Sequence, residues 1–213
     1  MKLYHYVHCP FCIRVRMALG FLKIPYESIV LPYDDEKTPV ELTGKKMLPI
    51  LQIKERALNE SLDIIQLLDQ NNLLQTKELI TAPRFAEIES YLSVLGNDVH
   101  SLAMPYWIYT PEFNANSRAY FQKKKEEKRG PFKELVKNKL IFQSSLQKNL
   151  NQFEQELTGD FILEQFSVLD LMIASHLWGL YVVPEFQFSV KLNNYLQNIA
   201  RITSFNYHED LWR

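Results

Sequence analysis

The chain has 213 residues, 46% of them hydrophobic and 23% charged, with a formal net charge of -1. That composition supports a packed core and excludes a disordered chain. The near-zero charge argues against nucleic acid or an anionic membrane as a partner, and the length suits one large domain or two small ones.

Residues 2–7 read as a strand. Met1-Lys2 leads straight into it with no apolar leader core and no small-residue cleavage site, so a cytoplasmic protein is expected. Residues 10–22 read as a helix: Cys12, Val15, Leu19 and Leu22 recur at helical spacing, with Arg14 and Arg16 off that face. Solvent exposure alone accounts for the two arginines, unless they strengthen a local positive field or hold a substrate carboxylate. Residues 26–31 read as a second strand. Thr38-Pro39-Val40-Glu41 reads as a helix start, with Thr38 as N-cap, Pro39 first in the helix and Glu41 placed for a capping box. Gly44 ends that helix after barely two turns. Residues 49–53 and 56–58 read as strands joined by Lys54-Glu55. Ser61 caps the next helix, with Leu62, Ile64, Ile65, Leu67 and Leu68 on its apolar side and Asp63, Gln66 and Asp69 on its polar side. The order β-α-β-α-β-β-α predicts an α/β unit with a small mixed sheet.

Beyond Asn71-Asn72 strand signals thin out. Helices are expected over 83–102, 117–129, 132–157 (with a break), 167–182 and 188–202, and all three tryptophans (Trp107, Trp178, Trp212) lie in this half. The reading is two domains, an α/β domain over 1–72 and an all-helical domain over 84–213, with a linker over 73–83. The longest apolar run, 169–184, is too short to span a bilayer and contains Asp170, Ser175 and His176, so no membrane partner is expected. The mixed-sign run Lys123-Lys124-Lys125-Glu126-Glu127-Lys128-Arg129 reads as a solvated helix face in preference to a phosphate-binding patch.

Cys9 and Cys12 are the only cysteines. Two cysteines supply half of a tetrahedral metal shell, and His5 and His8, with His8 adjacent to Cys9, converge poorly on one ion, so no metal is expected. A structural disulfide would close a very small loop and restrict the unfolded chain little, and a reducing cytosol opposes it. A redox pair fits best, because Cys-x-x-Cys at a strand-to-helix join within a β-α-β pattern is the thioredoxin-like signature. At the helix N-terminus the Cys9 sulfur faces unpaired backbone N–H groups and the positive end of the helix dipole, which favour thiolate over thiol. Cys12, one turn on, is placed to attack a mixed disulfide formed at Cys9. His8 reads as an ordinary strand residue in preference to a group that tunes the thiol.

Two further segments complete a site. Leu48-Pro49 places a proline at the start of a strand, either as a plain loop-to-strand residue or as a cis-proline that leaves the Leu48 main chain free to pair with an extended ligand. Glu60-Ser61 opens a helix, where Ser61 is an N-cap and its surroundings also suit a carboxylate, while Glu60 suits an ammonium group.

Cys-Pro-Phe-Cys, Leu-Pro-Ile-Leu and Glu-Ser-Leu-Asp-Ile-Ile together resemble a glutaredoxin-type thioredoxin fold in the arrangement shared with glutathione transferases. With its helical second half, the whole chain resembles the two-domain, glutathione-transferase-like bacterial glutaredoxins of the glutaredoxin 2 type. Ser167-Val168-Leu169-Asp170 is similar to the capping box of glutathione transferase C-terminal domains. The resemblance implies a redox-active Cys9 nucleophile and a Cys12 partner that reduce protein disulfides and glutathione mixed disulfides, with glutathione as co-substrate in thiol-based electron transport. It implies a glutathione site at Pro10, Phe11, Leu48, Pro49 (in cis), Glu60 and Ser61, and a monomer. Leu48 stands where Thr or Val is common, and Phe11 where Tyr is frequent. The rival readings are a glutathione transferase conjugating electrophiles and a non-enzymatic relative of the chloride intracellular channel type. A transferase has no need of the second cysteine, and the channel type usually lacks it.

Overall fold

The computed structural model describes residues 1–157 and 159–206; Trp212 and the end of the expected helical domain lie outside them. The first half contains strands β1 (Lys2–His5), β2 (Glu27–Val30), β3 (Ile50–Ile53) and β4 (Arg56–Leu58), with helices α1 (Pro10–Phe21), α2 (Lys37–Thr43) and α3 (Ser61–Leu68). The sheet order is β2-β1-β3-β4. β1 runs parallel to β2, with Leu3 opposite Ser28, and antiparallel to β3, with Leu3 opposite Leu51. β3 and β4 form the antiparallel hairpin around Lys54-Glu55. The mixed sheet and the order of elements follow the sequence reading, with strand ends trimmed by one or two residues.

The second half is helical: α4 (Thr76–Leu79), α5 (Pro83–Trp107), α6 (Ala115–Arg129), α7 (Phe132–Lys137), α8 (Lys139–Glu156), α9 (Val168–Leu177) followed by a 3-10 turn over Trp178–Val182, and α10 (Val190–Ile202). The expected break after residue 132 falls at Asn138. α5 runs five residues past the expected end because Pro105 is accommodated inside it, and α4 was not expected. The expected capping box is present: Ser167 N–H and Oγ both donate to Asp170, which also accepts from Ile162 N–H and the Tyr195 hydroxyl.

Several local expectations need correction. The N-cap position of α2 is Glu36. Thr38 lies inside the helix, its N–H donating to the Asp35 carboxylate at 2.9 Å, and Glu41 pairs with Lys37 across one turn. Gly44 does end α2, in the left-handed conformation, with its N–H on the Val40 carbonyl. Glu60, not Ser61, is the N-cap of α3. Asp69, placed by sequence on the polar side, is buried, because its carboxylate holds the following turn by accepting from Leu73 N–H, Leu74 N–H and Thr76 Oγ1. Leu67, placed on the apolar side, is exposed.

The largest correction concerns α1. It is buried on nearly every face, because α3 covers one side and α9 and α10 cover another. Arg14 is 4% exposed, so solvation does not account for it. Arg16 packs over the Phe205 ring and donates to the Asn206 carbonyl. Gly20 lets the end of α1 approach the end of α10: a Cβ there would stand 1.8 Å from the Thr203 carbonyl oxygen.

Candidate active site

β1 delivers the chain to Cys9, the N-cap residue of α1, and Pro10 occupies the first turn without leaving an N–H unpaired. Cys9 is half-buried and Cys12 fully buried, and both are free thiols. Their acidities diverge. The Cys9 thiol is held below its ordinary value first by a hydrogen bond from Cys12. Burial opposes this, and the backbone N–H groups of Cys12 and Phe11 and the Arg14 guanidinium lower it further. Those amide contacts are looser than a complete side-chain cap. Cys12 is pushed well above its ordinary value by burial, by its hydrogen bond to Cys9 and by the charge on Cys9. Tyr6 N–H donates to Cys12 Sγ at 3.4 Å from the end of β1, which fixes the inner sulfur. The pair is therefore built to hold one thiolate, on the outer cysteine.

The other sequence-predicted residues fall around this pair. The Leu48–Pro49 peptide is cis, and Leu48 shares a small apolar cluster with Cys12, Leu31 and Ile50, with Cys9 packed against it. Pro10 and Pro49 are buried, while Phe11 is 46% exposed and meets the His176 ring edge-on at 5.8 Å. Glu60 is exposed with φ 72°, a left-handed backbone unusual for this residue type, and Ser61 is buried behind it. Burial lowers Arg14 to about 10, and the charges of Cys9, Glu89, Cys12 and Glu60 oppose that.

Three features were not read from the sequence. His8 sits in an aromatic cage of Tyr6, Tyr33, Trp107, Phe113 and Phe121, with centroid separations of 5.0–5.8 Å. Burial first, then Lys125 and His100, depress it to about 3, so it is a neutral ring and no base for Cys9. Tyr33 is pushed up to about 12 by burial and by the Cys9 charge. Lys125 lies over the Tyr33 and Phe121 rings, partly desolvated and acted on by Cys9, so the charged run is not uniformly a solvated face. Each of these depends on helix α6 meeting the first half, which no local pattern encodes. Among the described residues no group of three or more His, Cys, Asp or Glu side chains is placed to hold a metal ion, and none of the described helices is long and apolar enough to cross a membrane.

The geometry agrees with known proteins along the whole chain. Residues 3–73 match the glutathione S-transferase N-terminal domain family, and residues 87–210 match the glutaredoxin 2 C-terminal domain family. Glutaredoxin 2 of Escherichia coli strain K12 is 31% identical over 211 residues, 97% of each chain. The crystal structure of glutaredoxin 2 from Salmonella typhimurium, in complex with glutathione, superposes with a TM-score of 0.87 at 32% identity, covering 99% of this chain and 97% of that one. The glutathione transferase GSTFuA2 of Phanerochaete chrysosporium, at 17% identity and a TM-score of 0.76 over 95% of this chain and 97% of that one, shares the fold. A transferase-type first half carrying a dithiol, continuous with a helical half that matches the glutaredoxin 2 C-terminal domain, makes this chain a member of the glutaredoxin 2 family.

Proposed function

We propose that the chain is a glutathione-dependent thiol–disulfide oxidoreductase, working through Cys9 as nucleophile and Cys12 as its partner. The carrying observation is the split acidity of the two thiols, lowered at Cys9 and raised at Cys12. With a glutathionylated protein, the Cys9 thiolate attacks the glutathione sulfur. The S–S bond breaks, the protein leaves as a thiolate that takes a proton, and Cys9 holds the glutathione. A second glutathione thiolate then attacks that mixed disulfide, releasing oxidised glutathione and restoring the Cys9 thiolate. With a protein disulfide, Cys9 attacks one sulfur and frees the other as a thiol. The Cys12 thiol loses its proton and attacks Cys9, the reduced protein leaves, and two glutathione molecules reduce the Cys9–Cys12 disulfide.

The tripeptide would lie along the wall formed by Pro10, Phe11 and the Leu48–Pro49 main chain. The Leu48 backbone would pair with its cysteinyl part, and Ser61 and Glu60 would receive the carboxylate and ammonium of its γ-glutamyl end. The exposed Glu60 carboxylate and the α3 N-terminus support this polarity. The partners are glutathione and disulfide-containing or glutathionylated proteins, met by a monomer in the cytoplasm. A transferase needs one activated group, whereas here the second thiol hydrogen-bonds the first, which favours exchange chemistry.

The test is glutathione-coupled reduction of a glutathione mixed disulfide. Cys9→Ser should lose activity by at least about a thousandfold, the scale for removing a nucleophile. Cys12→Ser should retain reduction of the mixed disulfide and lose that of protein disulfides. Full activity in Cys9→Ser, or conjugation of aryl halides with no disulfide reduction, would contradict the proposal.

A further inference from the structure

A cavity of about 360 Å³ opens where α1 meets α5, α6 and α9, lined by Phe11, Arg14, Glu89, His100, Arg129 and His176 among others. Arg14 is 4% exposed, its Nε has no hydrogen-bond partner, and no carboxylate lies within ion-pair distance of it among the described residues. Its guanidinium rests on the Phe11 ring at 4.6 Å, and Cys9, Glu89, Cys12 and Glu60 act on its charge from beyond ion-pair distance. A buried charge with no counter-ion in direct contact is costly, and an anion or water that enters the cavity would relieve it.

The second arginine is built into place. Arg129 donates to the Asn97 carbonyl at 3.2 Å, the Asn97 side chain at 3.0 Å and Ser101 Oγ at 3.3 Å, and forms no ion pair among the described residues. His100 and His176 add no charge: burial first, then neighbouring cations, lower them to about 3 and about 4. Glu89 is the one acid in the lining. It is exposed and acts on Arg14 without forming an ion pair with either arginine, so one carboxylate faces two guanidinium groups and the cavity carries a net positive charge.

We propose that this cavity is a carboxylate subsite for the peptide arm of the disulfide substrate, taking an Asp or Glu side chain near the cysteine under attack. The inference rests on the exchange chemistry proposed above and names which substrates it favours. Arg14 lies five residues along α1 from Cys9, about 7.5 Å at the helical rise. An extended peptide covers that distance in roughly two or three residues. Phe11, between the two, is the floor over which such a peptide crosses. On the reading above, glutathione would lie against the Leu48–Pro49 main chain, Glu60 and Ser61, none of which lines this cavity, so the two arms of a mixed disulfide would part at Phe11.

Two peptides test it, Gly-Glu-Gly-Cys-Gly-Glu-Gly and its counterpart with Gln for Glu, each as the mixed disulfide with glutathione. The wild-type chain should reduce the acidic one with a kcat/KM about tenfold higher, the scale of a hydrogen-bonded charge pair. Arg14→Met and Arg129→Met should each bring that ratio close to one, and Arg129→Met alone decides the matter if Arg14→Met does not fold. Brisk reduction of both peptides at equal rates, or a preference that survives the arginine substitutions, overturns the subsite and leaves the exchange chemistry standing. Failure to reduce either peptide overturns the exchange chemistry and the subsite with it.

Discussion

Cys9 and Cys12 carry the same side chain one helical turn apart, and their surroundings separate them. The outer sulfur gathers a thiol donor, two backbone amides and a guanidinium, while the inner one is closed in and meets mainly the Cys9 charge. The Cys12 hydrogen bond is the largest influence on the Cys9 thiol, and the Arg14 charge is a lesser one. Replacing Cys12 by Ala should therefore raise the Cys9 pKa more than replacing Arg14 by Met. Thiolate absorbance against pH reads both shifts, and the reverse order would contradict this ranking. The position of Cys9 at a helix start was plain in the sequence, since strand, Cys-Pro and helical spacing follow one another. The burial of Arg14 was not, because a charged residue off the apolar stripe reads as solvated until a second layer of helices is known to cover it.

The same limit explains what was legible among the elements. α1, the β3–β4 hairpin and the Ser167–Asp170 capping box are encoded by residues a few positions apart, and the sequence predicts all three. Caps supplied from outside the expected position, such as Asp35 for α2 and Asp69 for the turn after α3, were misread because several Asp and Thr residues near each helix start are chemically equivalent candidates. Asp170 holds four donors, and Asp170→Ala would leave Ile162 N–H, Ser167 N–H and the Tyr195 hydroxyl without their partner. A loss of about 3 kcal/mol is expected, measurable by denaturant unfolding; a change below about 1 kcal/mol would contradict the role given to that carboxylate. Gly20→Ala tests the seam between α1 and α10. The Thr203 carbonyl is backbone and cannot swing away, so a loss of about 3 kcal/mol is expected. Gly96→Ala in α5 is the control: its Cβ meets nothing within 4 Å, and it should be neutral or stabilising by up to about 1 kcal/mol.

Across the whole molecule, the helical half does more than cover the sheet. His8 is enclosed by rings from α5, α6 and the segment between them, Ser117 donates to Asp34, and Tyr120 to Glu36, so α6 is fastened to the loop before α2. Four histidines are depressed, burial being the first cause for each: His5 and His176 to about 4, His8 and His100 to about 3. The unfolded chain takes up these protons near the ordinary value of 6.5. It thus binds more protons than the native state between about pH 6.5 and 3, and stability falls as pH drops through that window. Asp170, raised to about 6 chiefly by burial, opposes this between about pH 4 and 6, and one group does not offset four. Stability should therefore fall continuously from pH 7 to pH 5, by about 2 kcal/mol for each histidine that stays neutral, seen as a falling melting temperature. His8→Phe, which keeps a ring in the cage, should flatten the profile, and a profile independent of pH would contradict burial of these rings as neutral groups.

Of the two thiols, Cys9 ionises first and Cys12 stays protonated. Brief alkylation of the reduced protein with iodoacetamide across a pH series, with the modified residue located by fragment mass spectrometry, tests it directly. Labelling is expected to be confined to Cys9, with a midpoint below the free-thiol value of about 8.5, and Cys12 is expected to stay untouched until the chain unfolds. Labelling of Cys12 at a comparable rate, or a Cys9 midpoint at the free-thiol value, would contradict it.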